Sequence, residues 1–373
     1  MLARRFHELD LLRFIAAASV VLFHYSVRGY ALQELPPSAY ASLAPVTKYG
    51  FLGVNLFFII SGFVILMTAA RASVRRFAVS RFVRLYPAFW ICCTATFAGS
   101  WLVARSGQGI PFRTYLLNMT MVSGLASVPP VDGVYWSLLV ELKFYALVLL
   151  AMAFRQMGRL KILLGIWLGL SIVSLSRPLP VLSTWLVPEW APYFIAGATM
   201  YLASQEGLSA YKGAVLATCY ACAVAGLAKG LPQIEANLHM HLSLTAASGI
   251  LAAFFLATLL VSTGATARLG SARWVLLGSL TYPIYLLHQR LGYWLLALGH
   301  GRANAHVVFW GVVAFVLGLA YLVTRAEGLV APRLRRLLIG ERDPGAMAAP
   351  APCAVTPAAA VTPAVAEAAA SSD

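Results

Sequence analysis

Runs of mostly apolar residues, close to the roughly 20 needed to cross a bilayer as one helix, constrain this chain more than anything else in it. Ten stretches of this kind follow one another. They lie near Leu11–Gly29, Gly53–Ala69, Ala88–Val103, Ser137–Ala153, Ile162–Leu175, Pro192–Leu202, Ala214–Leu227, Leu244–Ser262, Val275–Leu296 and Val307–Val323. The fifth and sixth are the shortest, with Pro178, Pro180 and Pro188 between them. Of the 373 residues 60% are hydrophobic and 11% charged, whereas a soluble domain carries about a quarter charged residues. An ordinary cytoplasmic enzyme is excluded. The pattern predicts an all-α fold: a polytopic transmembrane helix bundle of about ten spans, each satisfying its backbone polar groups internally.

A formal net charge of +15 raises the question of nucleic acid. The basic residues are scattered between lipid-length runs, however, where they read as topology signals, and no nucleic-acid partner is expected. An N-terminus inside puts 19 of the 28 Lys and Arg on the cytoplasmic side and 8 outside, with Lys143 within a span. Both termini are therefore predicted to be cytoplasmic. The first stretch ends in His24–Tyr25 with no small-x-small cleavage site, and is read as a retained span. Residues 1–339 form the transmembrane domain. From 340 to 373 the composition turns to Ala, Pro, Val and Thr, a low-complexity cytoplasmic tail. The Cys219-x-x-Cys222 pair lies in an apolar helix and reads as two small residues one turn apart. No zinc-ligand spacing or phosphate loop occurs, so neither a metal nor a bound cofactor is expected.

Ionisable side chains inside spanning helices are costly and mark function or a partner. Four groups stand out. Arg13 and His24 are 11 positions apart, which returns to the same helix face and climbs about 16 Å. Arg81 and Arg84 stand one turn apart at a cytoplasmic helix entrance, able to hold phosphates as bidentate donors or simply to anchor the helix. Ser137, Glu141 and Tyr145 recur at i, i+4, i+8 along one face. Thr281, Tyr285 and His288 share a face of the ninth span, where Pro283 is expected to kink the helix. His24, Glu141 and His288 are thus placed in the outer half of the membrane, and Arg13, Arg81 and Arg84 at its inner face.

A basic mouth with His and Glu deeper in the bundle suits a phosphorylated donor entering from the cytoplasm. His24 would serve as general base, with Glu141 orienting it or stabilising its protonated form. Read from the residues alone, acyl transfer to a hydroxyl competes with a proton-coupled transporter or flippase of a glycan or small molecule. No inverted repeat is evident along the chain, which counts mildly against a transporter. A structural scaffold would leave the outer-half His, Glu and His unexplained.

Five segments carry a resemblance. Leu9-Asp10-Leu11-Leu12-Arg13, running on to Phe23-His24, resembles the opening helix of the acyltransferase-3 family of integral membrane O-acyltransferases. Gly53-Val54-Asn55 through Ser61-Gly62-Phe63 is similar to its second-helix signature. Arg81-x-x-Arg84 with Tyr86-Pro87 resembles its RxxR segment, and Trp136-Ser137-Leu138 through Glu141 to Phe144-Tyr145 its W-S-L-x-x-E-x-x-F-Y element. Thr281-Tyr282-Pro283 through Tyr285 to His288 resembles S-Y-P-x-Y-L-x-H, with Thr for Ser. Phe194 and Gly197 fit a weaker motif.

The resemblance implies transfer of an acyl group, commonly acetyl, from acyl-CoA to a hydroxyl of a surface polysaccharide or related glycoconjugate. It implies a multi-pass protein of the bacterial inner membrane, whose partners are acyl-CoA, a glycan or glycolipid acceptor and the lipid bilayer. By this match His24 and Glu141 are catalytic, and Arg13, Arg81 and Arg84 bind the donor. Asp10, Ser137, Tyr145, Tyr285 and His288 support them. Some relatives carry an appended hydrolase-like domain; the tail here implies that a second transfer step would fall to other glycan-assembly proteins.

Overall fold

A computed structural model describes residues 6–32, 34–35, 40–103, 109–177 and 179–340. The tail predicted from 340 onward lies, from residue 341, outside the described residues. Those that are described form an all-α bundle without strands. Its eleven helices of ten residues or more are α1 (His7–Phe23), α2 (Gly53–Ala69), α3 (Val74–Val103), α4 (Trp136–Ala153), α5 (Leu160–Ser176), α6 (Ala191–Glu206), α7 (Ala210–Leu238), α8 (Leu244–Thr263), α9 (Trp274–Leu287), α10 (Arg290–Gly299) and α11 (Ala305–Ile339). Local chemistry sets several ends. Ser209, Ser243 and Asn304 accept the N–H groups of Lys212, Ala246 and His306 at the starts of α7, α8 and α11. Gly264 closes α8 in the left-handed conformation at φ 86°.

Seven helical stretches are long and apolar enough to cross a membrane: His7–Ala31, Ala44–Ala69, Gly133–Ala153, Gln156–Ser176, Ala210–Leu238, Leu244–Thr263 and Ala305–Ile339. The remaining three of the ten expected stretches are helical too, each with a reason to fall short. The third is the later part of α3, whose first half carries Arg75, Arg76, Arg81 and Arg84. The sixth is α6, only 16 residues long. The ninth is not one helix: it is the pair α9 and α10, broken at His288–Gln289.

The break falls after His288, while Pro283, where a kink was expected, stays inside α9. The proline has no N–H for the carbonyl of Ser279; the Thr324 hydroxyl, which donates to Ala320 at 2.9 Å, lies 3.4 Å from that oxygen. At the real break the backbone N–H of Arg290 is accepted by Oδ2 of Asp132 at 2.9 Å, which caps α10 from another part of the chain.

Packing follows residue size. Helix α6 is apolar all round and nearly enclosed by protein. It crosses α2 where glycines face each other's backbone. A Cβ on Gly197 would meet the Ile59 carbonyl at 1.8 Å, and one on Gly62 the Phe194 carbonyl at 2.2 Å. Small residues at such crossings allow the close approach that packs membrane helices. Helix α1 lies between α2 and α9, and α11 packs along α3. On the outside α5, α8 and α11 leave Ile162, Leu256 and Phe315 more than half exposed, an apolar surface suited to lipid.

Candidate functional site

The site begins where α1 widens. From His24 to Arg28 the helix adopts a π-turn, a local loosening often found at functional positions. His24 is buried, and so is His288 on the far side of the bundle sequence. Their rings meet edge to face with centroids 4.8 Å apart, and His288 Nε2 lies 3.3 Å from His24 Nδ1.

The neighbours of the two rings assign their protons. His288 Nδ1 is 2.9 Å from the Tyr285 carbonyl and 3.2 Å from that of Ile284. Carbonyls only accept, so Nδ1 holds the proton and Nε2 is bare. His24 Nδ1 faces two acceptors, the Val20 carbonyl at 2.8 Å and that bare Nε2. It too holds its proton on Nδ1, and His24 Nε2 is left with a free lone pair. A neutral imidazole with one bare nitrogen is what a general base requires.

Around the pair the supports are hydrogen bonds from hydroxyls and to carbonyls, with one buried carboxyl. Tyr25 donates to the His288 carbonyl at 2.7 Å. The hydroxyls of Ser137 and Tyr285 are 2.7 Å apart, and both reach the Val134 carbonyl, at 3.1 and 3.2 Å. Asp132 is fully buried and joins the loop before α4 to the break after His288, accepting from Val134 and Arg290 N–H groups. Burial pushes its carboxyl up to about 6, against those two N–H groups, which favour the ionised form.

A second cluster lies towards the other end of α1. Arg13 pairs with Asp10 at 3.7 Å. Arg84 pairs with Glu327 of α11 at 3.2 Å, and its guanidinium stands 5.7 Å over the Tyr282 ring. Glu141 accepts hydrogen bonds from Ser61 and from Tyr145, the latter at 2.6 Å. Arg13 and Arg81 are within electrostatic reach of the same carboxylate, and Arg81 stands beside Tyr145.

The sequence expectation that grouped Glu141 with His24 is thereby corrected. No hydrogen bond joins the two among the described residues; Glu141 belongs with the arginines. The cause is helix geometry. Along α4 the positions Ser137, Glu141 and Tyr145 each advance about 6 Å, so the face that starts beside Tyr285 at the histidines reaches the arginines within two turns. Thr281 is buried and turned back on its own helix, donating to Gly278 at 2.7 Å.

Ser61, Glu327 and Asp132, like Tyr25, carry no strong mark in the sequence. Ser61 sat unremarked inside the Gly53–Phe63 segment. Glu327 and Asp132 left a faint signal, each being the sole acidic residue of its stretch, 305–339 and 119–140 respectively. An isolated acid in an apolar or uncharged region calls for a partner.

Compared with known proteins, residues 6–325 match the acyltransferase-3 family model, an acyltransferase domain. That range takes in both clusters except Glu327. Neither a curated protein nor a solved structure matches the chain.

Proposed function

Since the chain belongs to the acyltransferase-3 family and is a membrane acyltransferase, we propose that it moves an acyl group, acetyl first, from acyl-CoA to a hydroxyl of a surface glycan, with His24 as the general base. The observation that carries this reading is the contact geometry of the histidine pair, which gives His24 Nδ1 two acceptors and leaves Nε2 unpaired among the described residues. Nε2 of His24 is the one ring nitrogen of the two that is free to take a proton from an incoming hydroxyl.

In the step itself the acceptor oxygen loses its proton to His24 Nε2 as it attacks the thioester carbonyl. The C–O bond forms, the carbon–sulfur bond breaks, and the imidazolium returns the proton to the departing thiolate. His288 Nε2 accepts from His24 Nδ1 and stabilises the imidazolium while it lasts. The arginine cluster, about 16 Å away along α1, is placed to hold the donor's phosphates. Arg84 and Arg81 supply planar donors for phosphate oxygens, and the Ser61–Glu141–Tyr145 network fixes Arg13 and Arg81 beside them. With the arginine end cytoplasmic, in a bacterial inner membrane, the donor enters from the cytoplasm and the histidines lie towards the opposite face. Family membership decides against the transporter reading, because it supplies an enzyme activity that the two clusters can perform together.

The test is chemical. Ester-linked acetyl released by mild alkali from the surface-glycan fraction is compared between cells lacking the gene, cells complemented with the wild type and cells complemented with His24→Ala. The expected result is loss in the deletion, restoration by the wild type and no restoration by the variant at equal membrane abundance. Unchanged acetyl content in the deletion would sink the glycan assignment, and full restoration by His24→Ala the base assignment.

A further inference from the structure

The break after His288 carries two buried polar atoms that nothing in the fold satisfies. The hydroxyl of Tyr293 and the side-chain oxygen of Gln289 have no hydrogen-bond partner among the described residues. Both side chains are more than nine-tenths buried, Tyr293 at 2% and Gln289 at 8% exposure. They are one helical turn apart, linked by the bond from Tyr293 N–H to the Gln289 carbonyl, and so share a face of the first turns of α10. Folded proteins rarely leave such atoms bare, and each one asks for a reason.

Their position supplies the reason. The Tyr293 ring lies 6.3 Å, centroid to centroid, from His24 and 6.5 Å from Tyr25. The charged groups that act most strongly on the Tyr293 hydroxyl are Glu34, Arg28 and Asp132. Arg28 is one turn past His24 in the direction away from Arg13. Tyr293 therefore stands on the side of the candidate base that faces away from the arginines.

We infer that Tyr293 and Gln289 form the acceptor subsite, and that its ligand is a polyol such as a sugar residue. This rests on the reading of His24 and the arginines above, and adds to it the place and chemical class of the second substrate. A hydroxyl that both donates and accepts, next to an amide oxygen that accepts, matches neighbouring hydroxyls of a carbohydrate. Neither of the two side chains carries a charge of its own, which favours a neutral ligand. Bound there, one sugar hydroxyl faces His24 Nε2 while its neighbours satisfy Tyr293 and Gln289. The described side chains enclose these atoms, so binding displaces side chains at the break, where α9 and α10 are joined by only His288 and Gln289.

Two substitutions test this: Tyr293→Phe deletes only the unpaired hydroxyl, and Gln289→Met replaces the amide that carries the unpaired oxygen. Tyr293→Phe should leave folding intact, since removing an unpaired buried polar atom costs nothing in hydrogen bonds. The assay uses membranes of deletion cells expressing each full-length protein, which contain the native acceptor. Labelled acetyl-CoA is titrated in, and label incorporated into the glycan fraction is measured beside label released as free acetate. The expected result for Tyr293→Phe is at least a tenfold fall in incorporation at saturating donor, an unchanged KM for acetyl-CoA, and a larger share of acetate. Gln289→Met should show a weaker form of the same pattern.

Wild-type incorporation with unchanged behaviour in both variants overturns this inference alone and leaves a hydroxyl that is merely hydrated. A raised KM for acetyl-CoA with the glycan-to-acetate ratio preserved overturns it as well, since it moves Tyr293 to the donor side. Wild-type membranes that transfer no acetyl overturn the reading of the whole site, and the acceptor subsite with it.

Discussion

The two ends of α1 solve the problem of polar groups in an apolar bundle in different ways. At the arginine end the groups are charged and answered by charge: Arg13 by Asp10, Arg84 by Glu327. Glu141 is held there by two hydroxyls and is within reach of Arg13 and Arg81. At the histidine end the groups are answered by carbonyls and hydroxyls, with one buried carboxyl, Asp132, held by backbone N–H groups and with a ring nitrogen, a tyrosine hydroxyl and an amide oxygen left over. Charge suits an end that holds an anion near the membrane surface. Hydrogen bonds to carbonyls, with no ion pair on either ring among the described residues, suit the proton transfer proposed for His24.

The sharpest way to break this contrast is His24→Ala. Removing the general base should lower kcat for acetyl transfer by about 10²- to 10⁴-fold while leaving the KM for acetyl-CoA close to wild type; a variant that mainly raises KM would move His24 out of the chemistry.

Arg84→Ala should do the converse. Loss of one charged donor to phosphate is worth about 1.5–3 kcal/mol, hence a rise of roughly tenfold or more in the KM for acetyl-CoA with kcat little changed. Steady-state titration of the donor separates the two.

Glu141→Gln probes the regrouping directly. Because its partners are at the arginine end, the variant should raise the donor KM several-fold and leave the pH profile of kcat where it was. A displaced profile would return Glu141 to the histidines.

Glu327→Gln should be milder. The Arg84–Glu327 pair is partly exposed, Arg84 at 38%, so its loss should cost no more than about 1 kcal/mol of thermal stability, with a small change in donor KM as Arg84 loses its anchor.

The smallest effect concerns Asp132. Its carboxyl is pushed up to about 6 in the fold, above its unfolded value of about 3.9, so between those values the native state holds more protons than the unfolded one. Stability accordingly falls as pH rises through that window. Asp132→Asn should flatten the slope between about pH 4 and 6 in thermal melts, while leaving the α10 cap with a weaker acceptor.

Much of this architecture is legible along the chain. Period and length mark the helices that carry the site, although α9 and α10 read as one stretch, and the 11-residue step from Arg13 to His24 already separates the two clusters along one face. The same arithmetic misplaced Glu141, because distance along α4 says how deep a residue lies only once the register of α4 against α1 is known. Pro283 drew attention as the point of irregularity in the ninth stretch, yet it stays inside α9, which stops only at Leu287. The break at His288–Gln289 had no strong local marker, since its cap comes from Asp132.

By itself, then, the sequence determined an all-helical membrane chain, the identity of its polar residues and their spacing on each helix, because these follow from hydrophobic length and the helical repeat. Tertiary structure alone decided which of them meet. His24 finds His288 across 264 positions and Arg84 finds Glu327 across 243. Such pairings depend on how close two helices can come, which glycines such as Gly62 and Gly197 set at the crossing of α2 and α6, and no local pattern records that distance.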